Sequence, residues 1–186
     1  MLSRDDIRRH LTSEMVFDGD RLPGFSDTIE HPDGLVLVDT GMIDTTPEIN
    51  EDGEEWHPHP LPDELVSRVA LVVNTHLHFD HCGGNRLFPG VPIHVQRREL
   101  ADARTEDNYT VREWVDFPGA TYVEHDGEAE ILPGIRLLPA HLGKSLQQCV
   151  QRFVRTGTAY VRDEPGLAGR GRRAPRLVPA RERRRR

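Results

Sequence analysis

The chain has 186 residues and a formal net charge of −7 that is very unevenly distributed. Residues 1–140 hold 11 Arg against 28 acidic residues, a net charge of −17, whereas residues 141–186 hold 12 Arg, one Lys and three acidic residues, a net charge of +10. The length allows one domain with a sizeable core, and the absence of 18 consecutive apolar residues excludes a membrane-spanning helix.

Cysteine content and the first residues both favour a cytoplasmic protein. Only Cys82 and Cys149 are present, which is too few for a disulfide framework. The first 15 residues are charged and lack the apolar stretch of a secretory signal. We therefore expect a cytoplasmic chain that does not associate with membranes.

Short apolar runs that alternate with helical patterns predict a layered α/β domain. In the first 60 residues, the pattern predicts a short helix or, equally, a frayed terminus over 1–15, a strand over 25–30, a buried strand over 35–38 and a polar loop over 43–60. Further along, it predicts a helix over 62–68, strands over 70–73 and 92–95, a mostly helical segment over 97–114, a strand over 121–123 and a hairpin over 129–138.

The segment that follows the predicted strand over 70–73 carries the chemistry. It reads Thr75-His-Leu-His-Phe-Asp-His81, with three imidazoles and one carboxylate within six residues. In an extended stretch, His76 and His78 point to the same side and can reach one ion together, while Asp80 and His81 follow at a turn and can serve a second ion. Imidazole and carboxylate ligands suit zinc, with iron or manganese as alternatives.

This motif resembles the signature of the metallo-β-lactamase fold superfamily. The resemblance also covers the strand over 35–38 with the Asp39-Thr40-Gly41 that follows it, and it extends to Ala140. Within the superfamily, the stretches 74–85, 92–97 and 131–138 resemble the N-acyl homoserine lactonase group.

The resemblance implies an αββα sandwich with a two-metal site at one edge. By this analogy, His76 and His78 bind the first metal and Asp80 and His81 bind the second, with Asp80 also the candidate catalytic side chain. By the same analogy, Asp39 does not bind metal itself but stabilises the metal-binding loops through hydrogen bonds. Capping the turn after its strand is an alternative role, and the two roles do not exclude each other. The implied reaction is attack of a metal-activated water on a lactone or ester-type carbonyl of a small-molecule substrate.

Residues beyond Ala140 depart from the family pattern. The family has a Pro-Gly-His-x-Pro-Gly loop there, and later an aspartate and a final histidine that complete both metal sites. His141 and Asp163 are only weak candidates to replace two of these ligands, because no histidine follows Asp163 and the simpler interpretation is that both residues are incidental. We therefore expect residues 1–140 to be the N-terminal part of a metallo-β-lactamase-like domain and residues 141–186 to be a disordered, Arg-rich tail unlike the family.

Three functional readings remain open at this point. The first is a lactonase-like metallo-hydrolase that is incomplete and impaired in this chain, and the second is a thioesterase of the glyoxalase II type. The third is a non-catalytic remnant that binds metal or polyanions through its basic tail. No aromatic residues interleave the terminal arginines, so specific nucleic-acid binding is not expected.

A change of reading frame near codon 140 would explain both the missing loop and the change in composition. The chain has one Lys among 24 basic residues, which indicates GC-rich coding DNA, and an out-of-frame translation of such DNA yields Arg, Gly, Ala and Pro. Resequencing the locus should reveal a frame displacement near codon 140. An intact frame through residue 186 would rule the explanation out.

Overall fold

The computed structural model describes residues 3–47, 49–50, 54–142, 145–154 and 157–161, and beyond residue 139 it describes only the backbone. Its architecture is α/β, with two β-sheets and helices. In the described ranges, no helix is long and apolar enough to cross a membrane.

A seven-stranded mixed sheet forms the larger layer, in the order β4-β1-β2-β3-β5-β6-β7. Its first four positions are joined by antiparallel pairs, and β3, β5, β6 and β7 run parallel to one another. The strands are β1 (Ile7–Phe17), β2 (Asp20–Ile29), β3 (Leu35–Val38), β4 (Glu55–Pro58), β5 (Val69–Val73), β6 (Pro92–Gln96) and β7 (Thr121–His125).

A four-stranded antiparallel sheet lies against the first, in the order β11-β10-β9-β8. Its strands are β8 (Ala129–Leu132), β9 (Ile135–Leu142), β10 (Ser145–Val154) and β11 (Gly157–Val161). The described chain also contains two single-turn 3-10 helices (Arg4–Asp6 and Asn85–Leu87) and four short α-helices: α1 (Asp63–Val66), α2 (Phe79–Cys82), α3 (Arg97–Thr105) and α4 (Arg112–Val115).

Strand β3 shows why the sheet has an apolar layer on each side. Its four residues are all buried, and successive side chains point to opposite faces. Val36 and Val38 pack with Ile135 and Leu137 of β9 in the core between the two sheets. Leu35 and Leu37 pack on the opposite face, in a cluster that includes side chains of α1. The parallel strands are therefore fixed from both sides, and so is the edge where they end.

The structure confirms most predicted elements and corrects the first. Residues 7–15 of the stretch predicted as a helix belong instead to the long strand β1, which is paired with β2 through a two-residue turn at Asp18-Gly19. Both turn residues have positive φ, 51° and 84°, as a type I′ hairpin turn requires. Cross-strand pairing and the turn thus outweigh the spacing of Ile7, Leu11 and Met15, which had favoured a helix.

The boundary expected after Ala140 lies inside an element. Strand β9 runs through that residue to Leu142, and the backbones of β10 and β11 belong to the second sheet. Residues 162–186, which hold most of the predicted Arg-rich tail, lie outside the described residues.

A pair of histidines between β6 and β7 makes the stability of the sheet depend on pH. His94 Nδ1 lies 2.9 Å from His125 Nε2, with the rings stacked. Burial, and then the neighbouring His125, lower the pKa of His94 to about 4. An unfolded histidine titrates near pH 6.5, so the unfolded chain binds more protons between these values and the free energy of unfolding falls as the pH is lowered from about 6.5 to 4.

As the pH is lowered through this window, we expect the free energy of unfolding of the His94→Gln variant to fall by about 1–2 kcal/mol less than that of the wild type. This difference is smaller than the full pKa shift implies because the His94 ring is partly exposed. Denaturant unfolding at pH 7.5 and pH 4.5 measures the difference. His59→Gln, at an exposed histidine, is the matched control. Identical pH dependence in the wild type and His94→Gln would contradict the prediction.

Candidate functional site

Because β3 and β5 run parallel, the loops that follow them lie at the same edge of the sheet. Asp39 follows β3, and its backbone N–H extends the ladder by donating to the carbonyl of Val73 at 2.8 Å. Asn74 and Thr75 follow β5, and the N–H of Asn74 donates to the carbonyl of His94 at 3.0 Å. The histidine motif therefore begins where the β5 ladder ends, beside the carboxylate of Asp39.

A single buried carboxylate, that of Asp39, connects the two ends of the motif. Its Oδ1 accepts the backbone N–H of Thr75 at 2.7 Å, and its Oδ2 accepts the Thr75 hydroxyl at 2.6 Å. The same Oδ2 lies 2.9 Å from Nδ1 of His81. Asp39 itself has φ of 57°, a left-handed conformation that aspartate tolerates better than most residues.

These contacts assign the proton positions of two imidazoles. The single hydroxyl hydrogen of Thr75 is donated to Asp39, so the Thr75 oxygen accepts from Nδ1 of His76, 3.1 Å away. His81 likewise directs an Nδ1–H to Asp39. In the neutral form of either ring, the acceptor lone pair then lies on Nε2, which is the form that ligates a metal.

The side chains of the motif lie close together. The ring centroid of His76 is 4.6 Å from that of His78 and 4.0 Å from that of His81. Nε2 of His81 lies 3.3 Å from a carboxylate oxygen of Asp80. Five residues predicted from sequence to form the site, Asp39, His76, His78, Asp80 and His81, are thus gathered at one place.

The electrostatics of the cluster favour metal-binding protonation states at three positions. Burial, followed by the neighbouring imidazoles, holds the pKa of His76 well below its usual value, and burial also lowers that of His78. Burial alone would raise the pKa of Asp80, but the adjacent histidines, His81 first, lower it below its usual range. His81 differs: although burial opposes its charge, Asp80 and Asp39 raise its pKa well above the usual value.

A network of buried amides fixes the backbone at the end of the motif. Asn74 and Asn85 bond to each other reciprocally, at 2.8 and 3.3 Å, and the Thr40 hydroxyl donates to Asn85 at 2.9 Å. The carbonyl of His81 accepts the backbone N–H of Thr40 at 2.8 Å. This network holds the short helix α2 against the loop after β3.

Gly84 is required by the closeness of the two backbones. A Cβ at this position would lie 2.5 Å from the carbonyl oxygen of Thr40. The Gly84 N–H also donates to the carbonyl of Gly41 at 2.9 Å. Any larger residue would push the loop carrying Asp39 away from α2.

The donors present fit a divalent metal ion in kind, because neutral imidazole and ionised carboxylate are the ligands that such ions take. In the described part of the chain, however, no three His, Cys, Asp or Glu side chains form a group arranged to hold one ion. The carboxylates of Asp39 and Asp80 instead lie on either side of the His81 ring.

Several other sequence candidates have structural roles. Cys82 is buried, and burial raises the pKa of its thiol to about 12, which confirms it as a small core residue. Trp114 and Phe117 are buried in separate clusters, as ordinary packing predicts. The side chain of His141 and all of Asp163 lie outside the described residues, so their proposed ligand roles stay predictions.

His57 and His59 lie within the stretch 43–60 that the sequence predicts to be a polar loop. Both belong to the segment around β4. His57 Nε2 lies 3.4 Å from Oε1 of Glu55, and the backbone N–H of His59 donates to the carbonyl of Thr12. Neither is among the residues gathered around the motif.

Sequence reasoning missed Glu99 and the role of Tyr109. Glu99 is fully buried in α3, and its Oε1 accepts the backbone N–H of Leu77 at 2.8 Å and the hydroxyl of Tyr109. The Tyr109 ring lies 4.7 Å from the ring of His78. In the sequence, Glu99 stands in an otherwise polar helix. That placement by itself predicts a surface residue, so it gives no signal for the buried role.

Comparison with known proteins settles the family. Residues 20–155 match the metallo-beta-lactamase superfamily, which is most of the chain. The protein belongs to the metallo-beta-lactamase superfamily. It is a member of a family of metal-dependent hydrolases, and the matched range extends past Ala140 through β10.

Relatives in sequence and structure include N-acyl homoserine lactonases. An N-acyl homoserine lactonase of a Bacillus species is 32% identical over an alignment of 162 positions, which covers 76% of this chain and 62% of the relative. The chain thus spans less than two thirds of the length of that relative.

Two solved structures share the fold. One is a mutant of AiiA from B. thuringiensis with N-decanoyl-L-homoserine bound at the active site, with a TM-score of 0.67 and 22% identity, covering 83% of this chain and 73% of the other. The second is AidC, a dizinc quorum-quenching lactonase in complex with its product, with a TM-score of 0.58 and 11% identity, covering 76% and 56%. At these identities the similarity establishes the fold, which agrees with the two-sheet architecture described above.

Replacing Asp39 should destabilise the site and the fold together. The Asp39→Ala variant loses the acceptor of both Thr75 groups and of His81, so we expect the free energy of unfolding to fall by about 2–4 kcal/mol. Asp39→Asn should lose less, because its amide oxygen still accepts from Thr75 and asparagine tolerates the positive φ. Denaturant unfolding measures both.

Asp44→Ala is the control for Asp39, since it removes only an exposed ion pair with Arg86 and should change stability by less than about 1 kcal/mol. Equal losses in the free energy of unfolding for the Asp39→Ala and Asp44→Ala variants would show that the hydrogen bonds of Asp39 do not stabilise the site.

Proposed function

We propose that this protein is a metal-dependent hydrolase of lactones or related esters, with N-acyl homoserine lactones as the leading substrate class. The observation that carries the proposal is the gathering of His76, His78, Asp80 and His81 around the buried carboxylate of Asp39. The substrate class is supported by the sequence relatives, which are N-acyl homoserine lactonases.

Zinc is the proposed metal, as two ions, with iron or manganese as alternatives. His76 and His78 would hold the first ion, and Asp80 and His81 the second. When bound, such a pair supplies an activated water and polarises the substrate carbonyl. AidC, which shares the fold, is a dizinc lactonase, and this agrees with the proposal.

The residues of the chain contribute orientation and protonation. Asp39, through Thr75, fixes His76 with its proton on Nδ1, and burial keeps that imidazole neutral. Asp39 also holds His81 by Nδ1, so that the proton His81 loses on becoming a ligand is the one on Nε2. Asp80 stays ionised, which favours retention of a cation.

No side-chain nucleophile is part of this proposal. The Cys82 thiol has its pKa raised to about 12 by burial and is therefore not a thiolate at neutral pH. The thioesterase reading would use the same residues and differ only in substrate. The non-catalytic reading would keep the metal and lack the turnover.

Metal removal tests the proposal directly. We expect the full chain to bind zinc and to hydrolyse N-hexanoyl-homoserine lactone only weakly, because the family's metal ligands beyond residue 140 have no established counterpart here, with activity lost on chelation and restored by zinc. His78→Ala should lower kcat/KM at least about 100-fold by removing a ligand, while the exposed-site control His59→Ala should not. Metal analysis and a proton-release assay provide the measurements.

Each alternative has its own outcome in this experiment. Faster turnover of a glutathione thioester than of the lactone would favour the thioesterase. Retained zinc with no turnover of either substrate would favour the non-catalytic reading. Hydrolysis that persists unchanged after chelation would contradict the metal-dependent mechanism.

A further inference from the structure

The carboxylate of Glu99 is buried in α3 and is not used by the proposed chemistry. The residue is 0% exposed, and its Oε1 accepts two hydrogen bonds, from the backbone N–H of Leu77 at 2.8 Å and from the hydroxyl of Tyr109. Its Oε2 is buried and has no hydrogen-bond partner among the described residues.

Such a group is costly to keep in a folded chain. Burial raises the pKa of Glu99, which shows that the surroundings disfavour its charge. An apolar side chain of similar volume would avoid the cost of burying a carboxylate with an unpartnered oxygen. The two groups that Glu99 does contact must therefore explain what it contributes.

Both contacts lead to His78. The N–H of Leu77 belongs to the peptide between His76 and Leu77, so its bond to Glu99 fixes the backbone that leads into His78. Tyr109 places its ring against the ring of His78, with centroids 4.7 Å apart and an angle of 56° between the planes. The hydroxyl at the far end of that tyrosine is the one bonded to Glu99.

We propose that Glu99 and Tyr109 are a positioning pair that sets the orientation of the His78 ring. Oε1 of Glu99 accepts both hydrogen bonds. One holds the backbone at Leu77, directly before His78, and the other holds the Tyr109 ring that packs against the His78 ring. A side chain fixed at both ends loses little further freedom when it binds a ligand. The part of this inference that concerns metal affinity rests on the function proposed above.

Four variants separate positioning from simple packing. Tyr109→Phe keeps the ring and removes the hydroxyl, and Glu99→Met removes both acceptor contacts at similar volume. Glu99→Gln keeps an oxygen that can accept from Leu77 and Tyr109, so it should behave more like the wild type. Asp102→Asn is the matched control, because Asp102 is a buried carboxylate of the same helix that bonds to Arg98.

The first measurement needs no metal. The ring resonances of His78 are recorded by NMR in the metal-free protein and assigned by their loss in His78→Gln. We expect Tyr109→Phe and Glu99→Met to shift them, Glu99→Gln to shift them less, and Asp102→Asn to leave them in place. Unchanged His78 resonances in a folded Tyr109→Phe sample would overturn the proposal, even if Glu99→Met fails to fold.

The second measurement is zinc affinity by competition with a chromogenic chelator. Glu99→Met should bind zinc about 10–100-fold more weakly and Tyr109→Phe up to about 10-fold more weakly, as is usual when a partner of a metal ligand is removed. The Glu99→Gln variant should recover most of the loss. Equal affinity in the wild type, Tyr109→Phe and Glu99→Met would overturn the proposal.

The two proposals fail in different ways. A wild-type chain that binds no zinc contradicts the proposed function, and the His78 resonances still decide whether Glu99 and Tyr109 position that ring. A wild-type chain that binds zinc as tightly as all four variants contradicts only the positioning role.

Discussion

The buried carboxylate of Asp39 is the interaction on which the rest of the site depends. It is held at the end of β3 by the parallel ladder, and it accepts hydrogen bonds from Thr75 at one end of the histidine motif and from His81 at the other. A carboxylate in this position closes the motif into a loop and orients two of its imidazoles. Without it, the same residues would be a histidine-rich turn with no defined arrangement.

The part of the site that sequence could predict is local. His76, His78, Asp80 and His81 lie within six residues, directly after an apolar run that could only be a buried strand, so their proximity follows from chain geometry. Strand prediction succeeded at β3, β5 and β6 for the same reason. The first 15 residues were predicted wrongly because helical spacing was followed, although Asp18-Gly19 is a strong hairpin signal.

What the sequence could not show are contacts between residues far apart along the chain. Glu99 looks like a surface position in a polar helix, and only the packing of α3 against the motif reveals that it accepts from Leu77. Asn85 likewise gains meaning only through its reciprocal bonds to Asn74. Both are polar side chains that are fully buried, and composition patterns assign such residues to solvent.

The contacts that organise the motif all fall within one continuous stretch of sequence. Asp39, directly after β3, is the first residue of that stretch and Tyr109 the last, and the strands β5 and β6 lie between. A nascent chain therefore contains every one of these partners once residue 109 has been synthesised, before β7 and the second sheet exist. During translation, the histidine cluster has its supporting groups available earlier than the sheet that covers the core beneath it.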